Sequence, residues 1–144
     1  MRILCILGLW MVFSLSILQA KEIKMSSPDG KYQFTLSDEG GNLHYSLNWN
    51  AKETIKPSLL GIKANAVWRD HLSLGDMTTA EQDTVWHPVY GERSTIKDQY
   101  KAWSVVINRQ NSRDKLVLDV RAYNEGVAFR YRFPGGQYLK ITDE

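Results

Sequence analysis

Glu92 and Asp98 are the two residues whose types and spacing first suggest chemistry. Cleavage of an acetal such as a glycosidic bond needs one carboxyl group to donate a proton and a second at a set distance as base or nucleophile. Being six apart, they share a face if the segment is extended, because side chains alternate along a strand. Arg93, Ser94 and Lys97 flank them, however, a setting equally typical of a solvated strand edge, and the catalytic-pair reading is set aside.

The tract just ahead is more informative. Trp86-His87-Pro88-Val89-Tyr90-Gly91-Glu92-Arg93 is too irregular for a core strand and too aromatic for an ordinary solvent loop. Gly91 permits a backbone conformation closed to other residues, or a close approach to a neighbour. Trp86 and Tyr90 are apolar anchors beside Glu92 and Arg93. Flat sugar faces pack on such rings, and hydroxyl groups exchange hydrogen bonds with such charges. These four residues are the candidate contact to a substrate or a partner domain. The plainer reading stands ahead of it: Trp86 and Tyr90 as core or inter-domain packing, and Glu92–Arg93 as a local ion pair. Trp49 and Trp103 continue apolar strand faces and read as core, whereas Trp68, beside Arg69-Asp70-His71, reads as exposed.

Other chemistries find no support. His44 falls on an outward strand face, and His71 and His87 have no second ligand at metal-binding spacing. Gly40-Gly41 and Gly135-Gly136 are turn glycines that open no helix, so they are no phosphate cradle. No Gly-x-Ser-x-Gly elbow occurs.

The elements that must position these residues are strands. Tyr32, Phe34 and Leu36 alternate with Gln33, Thr35 and Ser37, and Leu43, Tyr45, Leu47 and Trp49 alternate with His44, Ser46 and Asn48. Asp38 to Asn42 forms the turn, giving an antiparallel hairpin with one buried face. Pro57 places its segment at a strand start or on an edge, since it lacks an N–H for the ladder. Between Asn65 and Thr84 the period disappears, which predicts an irregular excursion with at most a helical turn. Regular strands resume at Tyr100 to Arg109, Lys115 to Tyr123 and Val127 to Phe133, and Tyr138 to Ile141 resembles the start of another. Phe34, Tyr45, Leu118 and Phe129 are expected on the interior. Short strands with frequent turns and no sustained helical period predict an all-β, antiparallel β-sandwich or barrel.

The first twenty residues are expected to be a signal peptide. Met1-Arg2 is a positive end, Ile3 to Leu18 is apolar, and Ala20 is the small residue that cleavage needs. The run is shorter than the ~20 residues of a spanning helix, so no membrane segment is expected after cleavage. Cys5 lies inside the run and is the chain's one cysteine, which excludes disulfides and thiolate or Cys-zinc chemistry from the mature part. Of 18 Lys and Arg, Arg2 belongs to the leader, leaving 17 basic against 16 acidic residues with no basic block. Nucleic-acid binding, which needs clustered cations, is not expected.

Three tracts together resemble a known family. Ser27-Pro28-Asp29-Gly30-Lys31, the stretch from Trp86 to Tyr100, and Tyr123-Asn124-Glu125-Gly126-Val127-Ala128-Phe129-Arg130-Tyr131 are similar, in order, to the amino-terminal domain of glycoside hydrolase family 97. Its members are α-glucosidases and α-galactosidases of glycan-degrading bacteria. The resemblance implies a mutarotase-like β-super-sandwich longer than this chain, followed by a (β/α)8 barrel that holds the catalytic carboxylates. Residues 21–144 then form the amino-terminal part of that domain, truncated on its C-terminal side, with no catalytic residue and no metal site of their own. Calcium is implied for the full-length enzyme, bound around the active site. Carbohydrate and the barrel are the implied partners, and the periplasm or cell surface of a bacterium the implied location. The alternative is a free-standing carbohydrate-binding or adhesion β-sandwich without a catalytic partner. A mutarotase-like enzyme complete in itself is disfavoured by length.

Overall fold

The computed structural model describes residues 20–64, 67–92, 94–135 and 140–142. Ten strands run β1 (Lys21–Ser26), β2 (Tyr32–Glu39), β3 (Asn42–Trp49), β4 (Lys52–Leu60), β5 (Ile62–Lys63), β6 (Val67–Trp68), β7 (Leu72–Trp86), β8 (Ile96–Arg109), β9 (Lys115–Tyr123) and β10 (Gly126–Arg132). Among the described residues there is no helix.

Two antiparallel meanders form the sandwich. One sheet has the order β1-β2-β3-β4, the other β10-β9-β8-β7, and β5 and β6 make a short ribbon between them in sequence. The β2–β3 hairpin closes through Gly40 and Gly41, both at positive φ (59° and 79°), the pattern that matches strand twist in a two-residue turn. Asp38, Glu39 and Asn42, expected in the turn, are therefore paired strand residues. Pro57 lies on β4, an edge strand, where its missing N–H breaks no ladder.

The core lies between the sheets, because period-two alternation sends one apolar row inward from each strand. Met25, Phe34, Leu36 and Leu43 from the first sheet meet Val105, Ile107, Leu116, Leu118 and Val120 from the second. Two clamps fix the sheets' relation. Asp38 accepts the Leu74 N–H through Oδ2 (2.8 Å), and Lys21 Nζ donates to the Leu74 and Gly75 carbonyls (3.3 and 3.0 Å). Asp29 N–H donates to Asn124 Oδ1 at 3.0 Å, tying the β1–β2 turn to the β9–β10 turn.

Several expectations are corrected. The irregular excursion ends at His71, and Leu72 to Trp86 is one long strand. The alternation there is hidden by a bulge between Leu74 and Met77, which shifts the phase, and by a distal half that is largely exposed. Gly75 sits in this bulge because a Cβ would fall 2.6 Å from Asn108 Nδ2 and 3.0 Å from the Val106 carbonyl. Trp68 is 3 % exposed, with the Arg109 guanidinium 5.1 Å from its ring centre and Phe133 edge-on at 6.1 Å. Trp49, the last paired residue of β3, is 47 % exposed. Phe129 points to the inter-sheet side but is 40 % exposed, and Tyr45 is half-buried, because β10 is an edge strand and leaves them incompletely covered. Residues 136–139 lie outside the described residues. Of the strand expected there, Ile141 is not in a strand, and the neighbouring Thr142 N–H donates to the Lys63 carbonyl at 2.8 Å.

Candidate functional site

The β7–β8 hairpin outruns the sandwich. Pairing of β8 with β9 ends at Tyr100–Tyr123, whereas pairing with β7 continues through Gln82–Tyr100 to Trp86–Ile96. The distal hairpin is therefore a two-stranded ribbon with no third strand beside it among the described residues. Its side chains are correspondingly polar: Asp83 meets Lys97 at 3.7 Å and accepts Gln99 Nε2 at 3.0 Å, and Lys101 lies 4.0 Å from Glu81. Exposed pairs of this kind are worth about 0.2–1 kcal/mol at most. The ribbon's direction is set by its backbone ladder.

The tip reverses the pattern and is apolar. Trp86 is 51 % exposed, Tyr90 90 %, and Val85 and Val89 are also open to solvent. Gly91 has φ 138° with no atom close to where a Cβ would stand, so its role is conformational freedom and not close approach. His87 Nδ1 lies 2.9 Å from the Ser94 carbonyl, which can only accept, so that nitrogen carries the proton and ties the two sides of the loop.

Three of the four sequence-derived site residues, Trp86, Tyr90 and Glu92, fall on this one tip, and all are exposed. Arg93 lies outside the described residues, and with it the suggested Glu92–Arg93 ion pair. Packing of Trp86 and Tyr90 into this sandwich's core is overturned by their exposure. Glu92 sits in the loop and Asp98 on β8, so the shared-face argument for this carboxylate pair does not apply.

Two features escaped the sequence. Asp119, on the outer face of β9, accepts Ser104 Oγ (2.6 Å), Arg130 Nε (3.1 Å) and Arg132 Nε and Nη2 (2.9 and 3.1 Å). Hydrogen bonding from Arg132, aided by Ser104 and Arg130 and opposed by partial burial, holds its carboxyl well below the ordinary range. The alternation of Asp and Arg on β9 and β10 was the available signal, but it needed the register to become a network. The second feature is an apolar cleft of about 550 Å³ between the sheets, lined among others by Tyr45, Leu60, Ile62, Phe129, Tyr131 and Phe133. Among the described residues, no three His, Cys, Asp or Glu side chains gather to hold a metal ion.

A two-sheet antiparallel sandwich with a projecting ribbon defines an all-β domain. The chain belongs to the glycosyl-hydrolase 97 N-terminal family, whose model matches residues 25–144. A retaining alpha-galactosidase of Bacteroides thetaiotaomicron is 23 % identical over 146 residues, covering 100 % of this chain and 21 % of the relative. A glycoside hydrolase family 97 enzyme from Pseudoalteromonas sp. strain K8, solved in complex with panose, matches with a TM-score of 0.77 at 27 % identity over 83 % of this chain and 19 % of that one. The same enzyme in complex with acarbose aligns equally well (TM-score 0.77, 27 % identity, 83 % and 19 % of the two chains). A β-arabinopyranosidase shares the fold, with a TM-score of 0.76 at 23 % identity over 84 % of this chain and 20 % of that one. The chain thus spans about a fifth of the length of these relatives.

Proposed function

We propose that this chain is the non-catalytic amino-terminal domain of an exported glycoside hydrolase acting on α-glucosides or α-galactosides, bracing a (β/α)8 catalytic barrel and contributing to its sugar-binding cleft. The observation that carries this reading is the ribbon tip, where Trp86, Val89 and Tyr90 stand exposed beside Glu92. Large apolar side chains gathered at one projecting point mark a contact to something else. Family membership supports a hydrolase as that neighbour, and relatives that are named an alpha-galactosidase or bind panose and acarbose support α-linked sugars. Catalytic carboxylates, and the calcium bound around the active site, belong, in this reading, to the barrel. The apolar leader ending at Ala20 supports export, with mature protein beginning at or within a residue or two of Lys21.

The pure chain should release no p-nitrophenol from an α-glucoside or an α-galactoside. Release that is abolished by Glu92→Gln would overturn the non-catalytic assignment. In a protein joining this domain to its barrel, Trp86→Ala and Tyr90→Ala should cost about 1–2 kcal/mol each, read as a raised KM or a lowered melting temperature of the barrel. Unchanged KM and melting temperature in both variants would exclude the tip as a contact.

A further inference from the structure

Arg121 stands between two alanines. In the register of the second sheet its cross-strand partners are Ala102 on β8 and Ala128 on β10, so neither neighbour fills the space beside its side chain. On the Ala102 side Tyr100 leans in, with the guanidinium carbon 4.6 Å from the ring centre. Tyr123, two residues along β9, packs on Tyr100 with ring centres 5.1 Å apart. On the Ala128 side the surface opens into a hollow of about 220 Å³, lined by Arg121, Tyr123, Ala128, Phe129 and Arg130.

The local charges are unbalanced. Asp119, the nearest outward carboxylate on β9, is engaged by Ser104, Arg130 and Arg132. Arg130 engages it through Nε and also lines the hollow. No carboxylate among the described residues pairs with Arg121. Tyr123 is its strongest side-chain hydrogen-bonding neighbour, and Asp98, two residues before Tyr100 on the same face, acts on it only through weaker, longer-range attraction. Three guanidinium groups therefore face one fully occupied carboxylate and one distant one. A planar guanidinium matches a carboxylate with two parallel hydrogen bonds, and a tyrosine ring packs on the CH face of a sugar.

We propose that this hollow binds an acidic sugar unit, a uronate, with its carboxylate on Arg121, its ring against Tyr123 over Ala128, and its remaining oxygens within reach of Arg130. A neutral sugar leaves the surplus cations without a partner. A carboxylate from a protein side chain satisfies Arg121 but brings no ring to lie on Tyr123, so a sugar fits the hollow better. The site lies on the outer face of β8–β10, apart from the ribbon tip, and goes beyond the α-glycosidase reading.

The test titrates the full chain with methyl α-D-glucuronide, methyl α-D-glucoside, acetate and a glutamate-rich peptide at low salt, following tyrosine ring resonances by NMR. Glucuronide should bind saturably, shift the Tyr100 and Tyr123 signals, and bind on the order of tenfold tighter than the glucoside or acetate. Arg121→Gln and Ala128→Leu, both at exposed positions, should each weaken it on the order of tenfold, while Lys31→Gln and Trp86→Ala leave it unchanged. Acetate matching glucuronide would reduce the site to bulk charge and overturn the proposal. So would full affinity in Ala128→Leu, or tighter, competing binding of the peptide.

Discussion

Ser27 is fully buried, and its surroundings show why one tract of the sequence is so characteristic. Its hydroxyl donates to Asp29 Oδ1 at 2.6 Å and accepts the Tyr32 N–H at 3.0 Å, while Asp29 Oδ1 also accepts the Lys31 N–H at 3.1 Å. Asp29 in turn reaches Asn124, so the first and last of the three family-like tracts close one junction between the sheets. Their role is structural. Asp119 offers the clearest titration. Its side chain is 15 % exposed, and its folded pKa lies below the ordinary 3.8, chiefly through Arg132. A depressed carboxylate contributes stability that is complete above the ordinary value and fades as pH falls through the folded one. Asp119→Asn should therefore cost about 1–2 kcal/mol at neutral pH, with the gap from wild type narrowing progressively below about pH 4. Urea unfolding at several pH values reads this directly, and a gap that stays constant down to about pH 2.5 would rule out the ion-pair account.

At the scale of elements, β7 and β10 behave differently from their neighbours for a shared reason: they are the two edge strands of the second sheet. β7 is half core and half ribbon, and its inward residues pass from Leu72 and Leu74 to Glu81 and Asp83 as the facing sheet ends. β10 keeps its alternation, yet its inward aromatics stay partly open. Phe34 and Phe129 test this contrast, since their rings lie 6.2 Å apart and both touch Tyr45. Phe34→Ala should cost ~3–5 kcal/mol, as for a closed core position. Phe129→Ala should cost only about 1–2 kcal/mol, because much of its apolar surface already meets water. Equal shifts in the denaturation midpoint would mean that Phe129 is covered in solution.

The whole molecule leaves its inter-sheet cleft open along one side. Phe129, Leu59 and Ile141 are exposed around it, and β4 and β10, whose residues line it, are both edge strands with one described ladder neighbour each. Open strand edges beside apolar surface favour pairing with another chain. The isolated chain should therefore associate in a concentration-dependent way, and Phe129→Lys should suppress this without unfolding the sandwich. Sedimentation velocity checks it: a wild-type monomer at high concentration would show that the cleft is too small or too polar to drive contact.

Much of the fold was legible because strand alternation is a local property. β2, β3, β8, β9 and β10 were readable within a few residues from period two and from turn residues alone, and the family tracts were readable as side-chain types in order. Tertiary structure decided what depends on neighbours distant in sequence. Leu72 to Trp86 became a strand because β8 offers it a ladder, although a bulge and two wet faces erase its period. Trp68 went inward because Arg109 and Phe133 close over it, and Trp49 stays exposed because it ends its strand. The candidate tip had its residues named by sequence, but its exposure follows from β9 ending where the ribbon continues. The Asp119 network and the Arg121 hollow exist only once register sets β8, β9 and β10 side by side, since no local pattern encodes which residues three strands bring into one row.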